Sequence, residues 1–166
     1  MSKRRAQVWS MDFAASIVIF STALALLLFA WMYTINQSGQ QTMFIQMESA
    51  AMSASDSLIR QPGVPENWNS SSVITIGLAS IENVLNDTKV GYFLDMENST
   101  IKSLLGVGNY DFYFEVRYAN GTLAQLAGGD WVAKGNYPEN ASIVVPSERY
   151  VIYMEKPAKM KFMLWV

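Results

Sequence analysis

The chain has no cysteine and no histidine among its 166 residues. Without cysteine, no disulfide contributes to stability, and cysteine spacing says nothing about redox compartment. Without histidine, the commonest general base and the commonest metal ligand are both missing. Both absences lean away from an enzyme. Basic charge is scarce as well: the formal net charge is −2, and past residue 35 there are 9 basic against 13 acidic residues. A nucleic-acid partner requires a basic face, so this balance argues against one. Proline is also sparse, with five in the chain, none before Pro62.

What is abundant is apolar surface, unevenly placed. Apolar residues make up 51% of the chain, and Phe13 to Ile35 contains no charged residue over 23 positions. At a helical rise of ~1.5 Å per residue that run spans roughly 34 Å, enough for a hydrocarbon layer of ~30 Å. Trp9, Trp31 and Tyr33 lie where interfacial aromatics are expected, and Lys3, Arg4 and Arg5 precede the run. By the positive-inside rule the N-terminus stays in the cytoplasm and the remainder is exported. The competing readings are a buried core helix and a removable secretory signal. The run is longer than a signal's apolar region, and its end, Trp31-Met32-Tyr33, carries no A-x-A cleavage pattern.

The helical pattern continues past the apolar run. Between Gln40 and Arg60, Met43, Met47, Ala50, Ala54 and Leu58 recur at spacings of three and four, with Phe44 and Ala51 alongside. Gln61-Pro62-Gly63 stops it. A turn-rich stretch follows, with Trp68 expected to plug the core and Val73 to Ile76 as a short β-like run. Ser80 to Leu85 and Thr100 to Leu105 are short helix candidates, the second with Ser99 as N-cap. From Tyr110 to Tyr118 apolar and polar residues alternate, and Asn120-Gly121 then marks a hairpin turn leading to Thr122 to Leu126. Ser142 to Val145 is a further strand. Arg149 to Glu155 and Lys159 to Val166 form a final pair around Lys156-Pro157. Four or five strands with one apolar face need a helix to cover them, and the amphipathic stretch is the obvious candidate. The expected architecture is α+β: a long N-terminal helix, transmembrane then amphipathic, packed on a small antiparallel sheet. Its segments are a basic N-terminus at 1–12, a transmembrane helix at 13–35, an amphipathic extension at 36–60 and an extracellular domain at 61–166.

Six of the ten asparagines begin an N-x-[ST] triplet: Asn36, Asn69, Asn86, Asn98, Asn120 and Asn140. All six follow the apolar run, as N-glycosylation of an exported domain requires. Carboxylate pairs that could serve glycoside hydrolysis are Asp95 with Glu97 and Asp111 with Glu115; the latter two alternate with Arg117 on the polar strand face and read better as a solvated face. Lys102 to Gly108 lacks the phosphate-loop pattern. No cofactor or metal ligand set is evident.

The basic start, short polar junction, long helix and small sheet resemble the type IV pilin-like proteins. The junction Arg5-Ala6-Gln7-Val8-Trp9-Ser10-Met11-Asp12-Phe13 is similar to the archaeal class III signal peptide, whose pattern is Q-x-S-x-E before an apolar helix. Here two residues separate Gln7 from Ser10, and Asp12 replaces the glutamate. The resemblance implies cleavage by a membrane prepilin peptidase near Ala6, Gln7 and Val8. It also implies helices packed with like subunits in a filament or held in the lipid membrane. Asp12 would meet the new terminal amine of a neighbour and set subunit height; alternatively it sits in the first helical turn at headgroup level. The function implied is a non-enzymatic cell-surface subunit of a pilus-like filament or a secretion or adhesion assembly. The alternative is a single-pass ectodomain that binds a ligand or partner without forming filaments.

Overall fold

The structure is a computed structural model that describes the backbone from residue 3 to 166 and the side chains of residues 11–35 and 41–166. The side chains of Ala6, Gln7, Val8 and Asn36 therefore lie outside those described. The elements in chain order are α1 (Lys3–Arg60), β1 (Ala79–Ile81), β2 (Val84–Leu85), α2 (Asp87–Asp95), α3 (Asn98–Leu104), β3 (Asp111–Tyr118), β4 (Ala133–Gly135), β5 (Val144–Tyr153) and β6 (Lys156–Trp165). The fold class is α+β. The chain divides into two compact units, Met1–Met43 and Phe44–Val166.

In the first unit, every described side chain from Met11 to Ile35 is exposed. This stretch is the one helix among the described residues that is long and apolar enough to cross a membrane.

In the second unit, six strands lie in the order β1-β2-β5-β6-β3-β4. The sheet is mixed, which corrects the expectation of a purely antiparallel one. β2 runs parallel to β5 through Val84↔Ile152 and Leu85↔Tyr153, while the other neighbours are antiparallel. After β2 the chain passes through α2 and α3, lays down β3 and β4 at the far side of the sheet, and returns as β5 beside β2, pointing the same way. A parallel pair needs such a crossover.

Strict alternation in β3 and β6 puts Phe112, Phe114, Val116, Met160, Phe162 and Leu164 on one buried face. The C-terminal part of α1 covers that face, burying Met47, Ala51, Ala54, Ser55, Leu58 and Ile59. Phe44, expected beside this stripe, is 44% exposed. Two polar contacts fix the helix on the sheet: the Ser55 and Ser147 hydroxyls meet at 2.8 Å, and Arg149 Nε donates to Asp56 Oδ1 at 2.9 Å. Trp68 is buried, with its indole N–H donating to the Pro62 and Gly77 carbonyls.

Several local expectations are corrected. Residues 80–85 form the β1–β2 hairpin rather than a helix. Asn83 holds a positive φ at its turn, and its N–H bonds the Ile59 carbonyl at the end of α1. The cap of α3 is Glu97, not Ser99, whose hydroxyl reaches the Glu97 carboxylate at 3.4 Å. β5 runs unbroken through Pro146. β2 pairs with β5 only at Ile152 and Tyr153, so no strand on that side calls for the N–H that Pro146 lacks. The β5–β6 turn falls at Met154-Glu155, both with positive φ, the geometry of a tight hairpin turn.

Gly77 is the tightest backbone approach. A Cβ there would collide with the backbone of Gln61 and Gly63, where α1 hands over to the turn around Trp68. Gly77→Ala is expected to destabilise this unit by about 1–3 kcal/mol. Guanidinium unfolding of the detergent-solubilised chain, followed by tryptophan fluorescence, checks this; an unshifted midpoint would contradict the packing described.

Candidate functional surfaces

Three places in the molecule could carry function, and each is a consequence of local chemistry. The first is the apolar helical stretch. Three of its hydroxyls are turned onto the helix's own carbonyls: Ser16 Oγ donates to Asp12 O at 2.7 Å, Thr22 to Val18 O at 2.8 Å and Thr34 to Ala30 O at 3.0 Å. Back-bonding of this kind lets a hydroxyl sit in an apolar surrounding without an unmet donor. Asp12 is exposed, and among the described residues no cation pairs with it.

The second is the sheet face turned away from α1. Register places Lys161 of β6 between Glu148 of β5 and Glu115 of β3. Lys159 Nζ reaches Glu148 Oε2 at 3.0 Å, and Arg117 grips Glu115 at 2.8 and 3.0 Å. The Glu115 side chain is nearly buried, and the Tyr113 hydroxyl also donates to it at 3.3 Å. Burial alone would raise the Glu115 carboxyl. The Arg117 hydrogen bonds and charge, with Tyr113 and Lys161, outweigh it and hold the group below its ordinary value. Tyr113 shifts upward, through burial first and then the adjoining Glu115 charge. At one end of this face Tyr113 meets Tyr137 edge-on with centroids 5.2 Å apart. At the other, a groove of about 420 Å³ is bounded by Arg117, Tyr118, Gly121, Tyr150, Pro157 and Lys159.

The third is a recess around Lys89, bounded by Glu66, Asn67, Ser80 and Asn86. The Lys89 ammonium is buried and donates to the Pro62 carbonyl at 2.8 Å and the Ala79 carbonyl at 3.3 Å. Burial lowers its pKa, with the Glu66 charge opposing in part. The amine ties the turn after α1 to β1. Nearby, the Tyr153 hydroxyl donates to Asp87 at the start of α2, and burial followed by that carboxylate pushes the phenol upward. Sequence reasoning missed both groups, because a lone lysine and a lone tyrosine read as surface residues until the fold surrounds them.

The carboxylates considered for hydrolysis are accounted for differently. Asp111 Oδ1 pairs with Lys102 at 2.9 Å, and Glu115 is held by Arg117. Asp95 closes α2 and Glu97 caps α3, both exposed. Among the described residues no three acidic side chains gather as a metal site.

Of the described triplet asparagines, Asn86 lines the Lys89 recess. Asn69, Asn98, Asn120 and Asn140 are exposed, whereas Asn86 is half-buried and caps α2 by accepting from the Lys89 N–H at 3.2 Å. Comparison with family models, with curated proteins and with solved structures yields no match for this chain.

Two outcomes check this geometry. Glu115 has a lowered pKa in the folded state, so its stabilising contribution is present above the unfolded carboxylate range and is lost as pH falls through the folded value. Unfolding midpoints measured down an acid series should therefore drop, and Glu115→Gln should flatten that drop; an unchanged slope would contradict the assignment. Replacing Lys89 by Met keeps the aliphatic stem but removes the donor, and is expected to cost about 1–3 kcal/mol in the same denaturation assay.

Proposed function

We propose that this chain is a non-enzymatic cell-surface subunit, anchored or assembled through its N-terminal helix and belonging to a type IV pilus-like filament or a related secretion or adhesion assembly. The observation that carries the reading is the stretch Met11–Ile35, apolar and exposed along its whole length, followed by a folded α+β unit. Apolar surface of that extent is stable only against lipid or against other helices of the same kind. The junction at Gln7, Ser10 and Asp12 adds the resemblance to a prepilin-type signal, with cleavage by a membrane peptidase near Ala6, Gln7 or Val8. In this reading the N-terminus lies in the cytoplasm, the domain faces outward, and Asp12 sets the subunit's height by pairing with a neighbour's new terminal amine.

A second reading is a single-pass ectodomain that never assembles. The junction favours it to this extent: the extra residue between Gln7 and Ser10, and Asp12 in place of glutamate, depart from the processing pattern.

Intact-mass and N-terminal analysis of sheared surface material and of membranes separates the two. Chains beginning near Gln7 or Val8 in sheared fibres are expected for the subunit. Chains retaining Lys3 and confined to membranes would favour the ectodomain. Asp12→Ala should insert normally and assemble poorly; wild-type levels of fibre would contradict the assembly role.

A further inference from the structure

We infer that the exported domain is an N-glycan acceptor at Asn69, Asn98, Asn120 and Asn140, and that Asn86 is spared although it carries the same triplet. The inference rests on the outward sidedness proposed above. Two independent observations support it.

The first is number. The chain has 17 Ser and 7 Thr in 166 residues, so random placement would put a hydroxyl residue two positions after only one or two of its ten asparagines. Six have one, and all six follow the apolar run.

The second is placement. At Asn69 the side-chain carbonyl accepts from the Ser71 and Ser72 N–H groups at 2.9 and 3.1 Å. At Asn120 it accepts from the Thr122 N–H at 3.0 Å and the Thr122 hydroxyl at 2.7 Å. In both turns it is Oδ1 that bonds the chain, and the residue is exposed. Asn98 is exposed in the first turn of α3, and Asn140 is exposed in the loop before β5. Asn86 differs. It is half-buried, its Oδ1 caps α2, its N–H donates to Leu78 O at 2.8 Å, and it lines the recess of about 460 Å³ beside Lys89. A sugar on it would have to occupy that recess, against Glu66 and Ser80.

The transfer balances simply. Asn Nδ2 forms a bond to the anomeric carbon of a sugar activated as a lipid-linked phosphate, the carbon–oxygen bond to phosphate breaks, the phosphate leaves with the bonding pair, and Nδ2 loses one proton. The donor and its membrane transferase come from the host. Residues 37–66 and 141–166 contain no asparagine.

The test uses the full chain in its native membranes, with two readouts. Because the chain has no cysteine, Gly108→Cys, at an exposed position with open space around the new Cβ, reports sidedness by labelling intact cells with a membrane-impermeant maleimide. Site-resolved glycopeptide mass mapping of the unsubstituted chain then reads each triplet. The expected result is labelling, a glycan mass at Asn69, Asn98, Asn120 and Asn140, and an unmodified Asn86 peptide. Labelling with bare peptides at the four sites, or with sugar on Asn86, overturns the inference while leaving the outward reading intact. Absence of labelling overturns the outward reading and the inference with it.

Discussion

The constraint from which the rest follows is the hydration cost of the stretch from Met11 to Ile35. The 25 residues are exposed throughout and, Asp12 and the hydroxyl residues apart, apolar; in water each Å² of that apolar surface is unfavourable by ~25 cal/mol, which favours lipid or close-packed helices around the stretch. A helix is also the form that suits such a medium, since each interior backbone group is bonded within the segment. The back-bonded hydroxyls of Ser16, Thr22 and Thr34 extend that rule to side chains.

The folded unit obeys the complementary constraint, that buried polar groups must find partners. Its core is one apolar sheet face closed by the last part of α1, and the polar groups drawn into it are matched. Ser55 meets Ser147, Tyr153 meets Asp87, and Lys89 meets two carbonyls. Among the described residues no buried side-chain nitrogen or oxygen is left without a partner. At the edge of that core, cations and carboxylates pair with one another, as Arg117 with Glu115 and Lys102 with Asp111.

The sequence made some parts of this legible and hid others for identifiable reasons. β3 and β6 are long enough for alternation to declare itself, and Met47, Ala54 and Leu58 mark the covering helix by their spacing. β1 and β2 have three and two residues, too few for any period, and their apolar residues read as a helix. α2 escaped notice because Gly91 weakens it and its strongest signal is the single cap at Asn86. The parallel β2–β5 pairing depends on residues 68 apart in the chain, which no local pattern reports. Lys89 carries nothing in its neighbours that foretells burial; only the closing of the Pro62 turn over β1 supplies its partners. For the surfaces, the apolar stretch and the six N-x-[ST] triplets were visible at once. The difference between Asn86 and the rest required the helix it caps.

The measurement that bears most directly on this account is the chain's partition between water and lipid. Membranes carrying the full chain, washed with alkaline carbonate and then extracted, should keep it in the pellet until detergent is added. Recovery of the intact chain as a freely soluble monomer in detergent-free buffer would contradict the membrane helix, and with it the anchoring and assembly that depend on it.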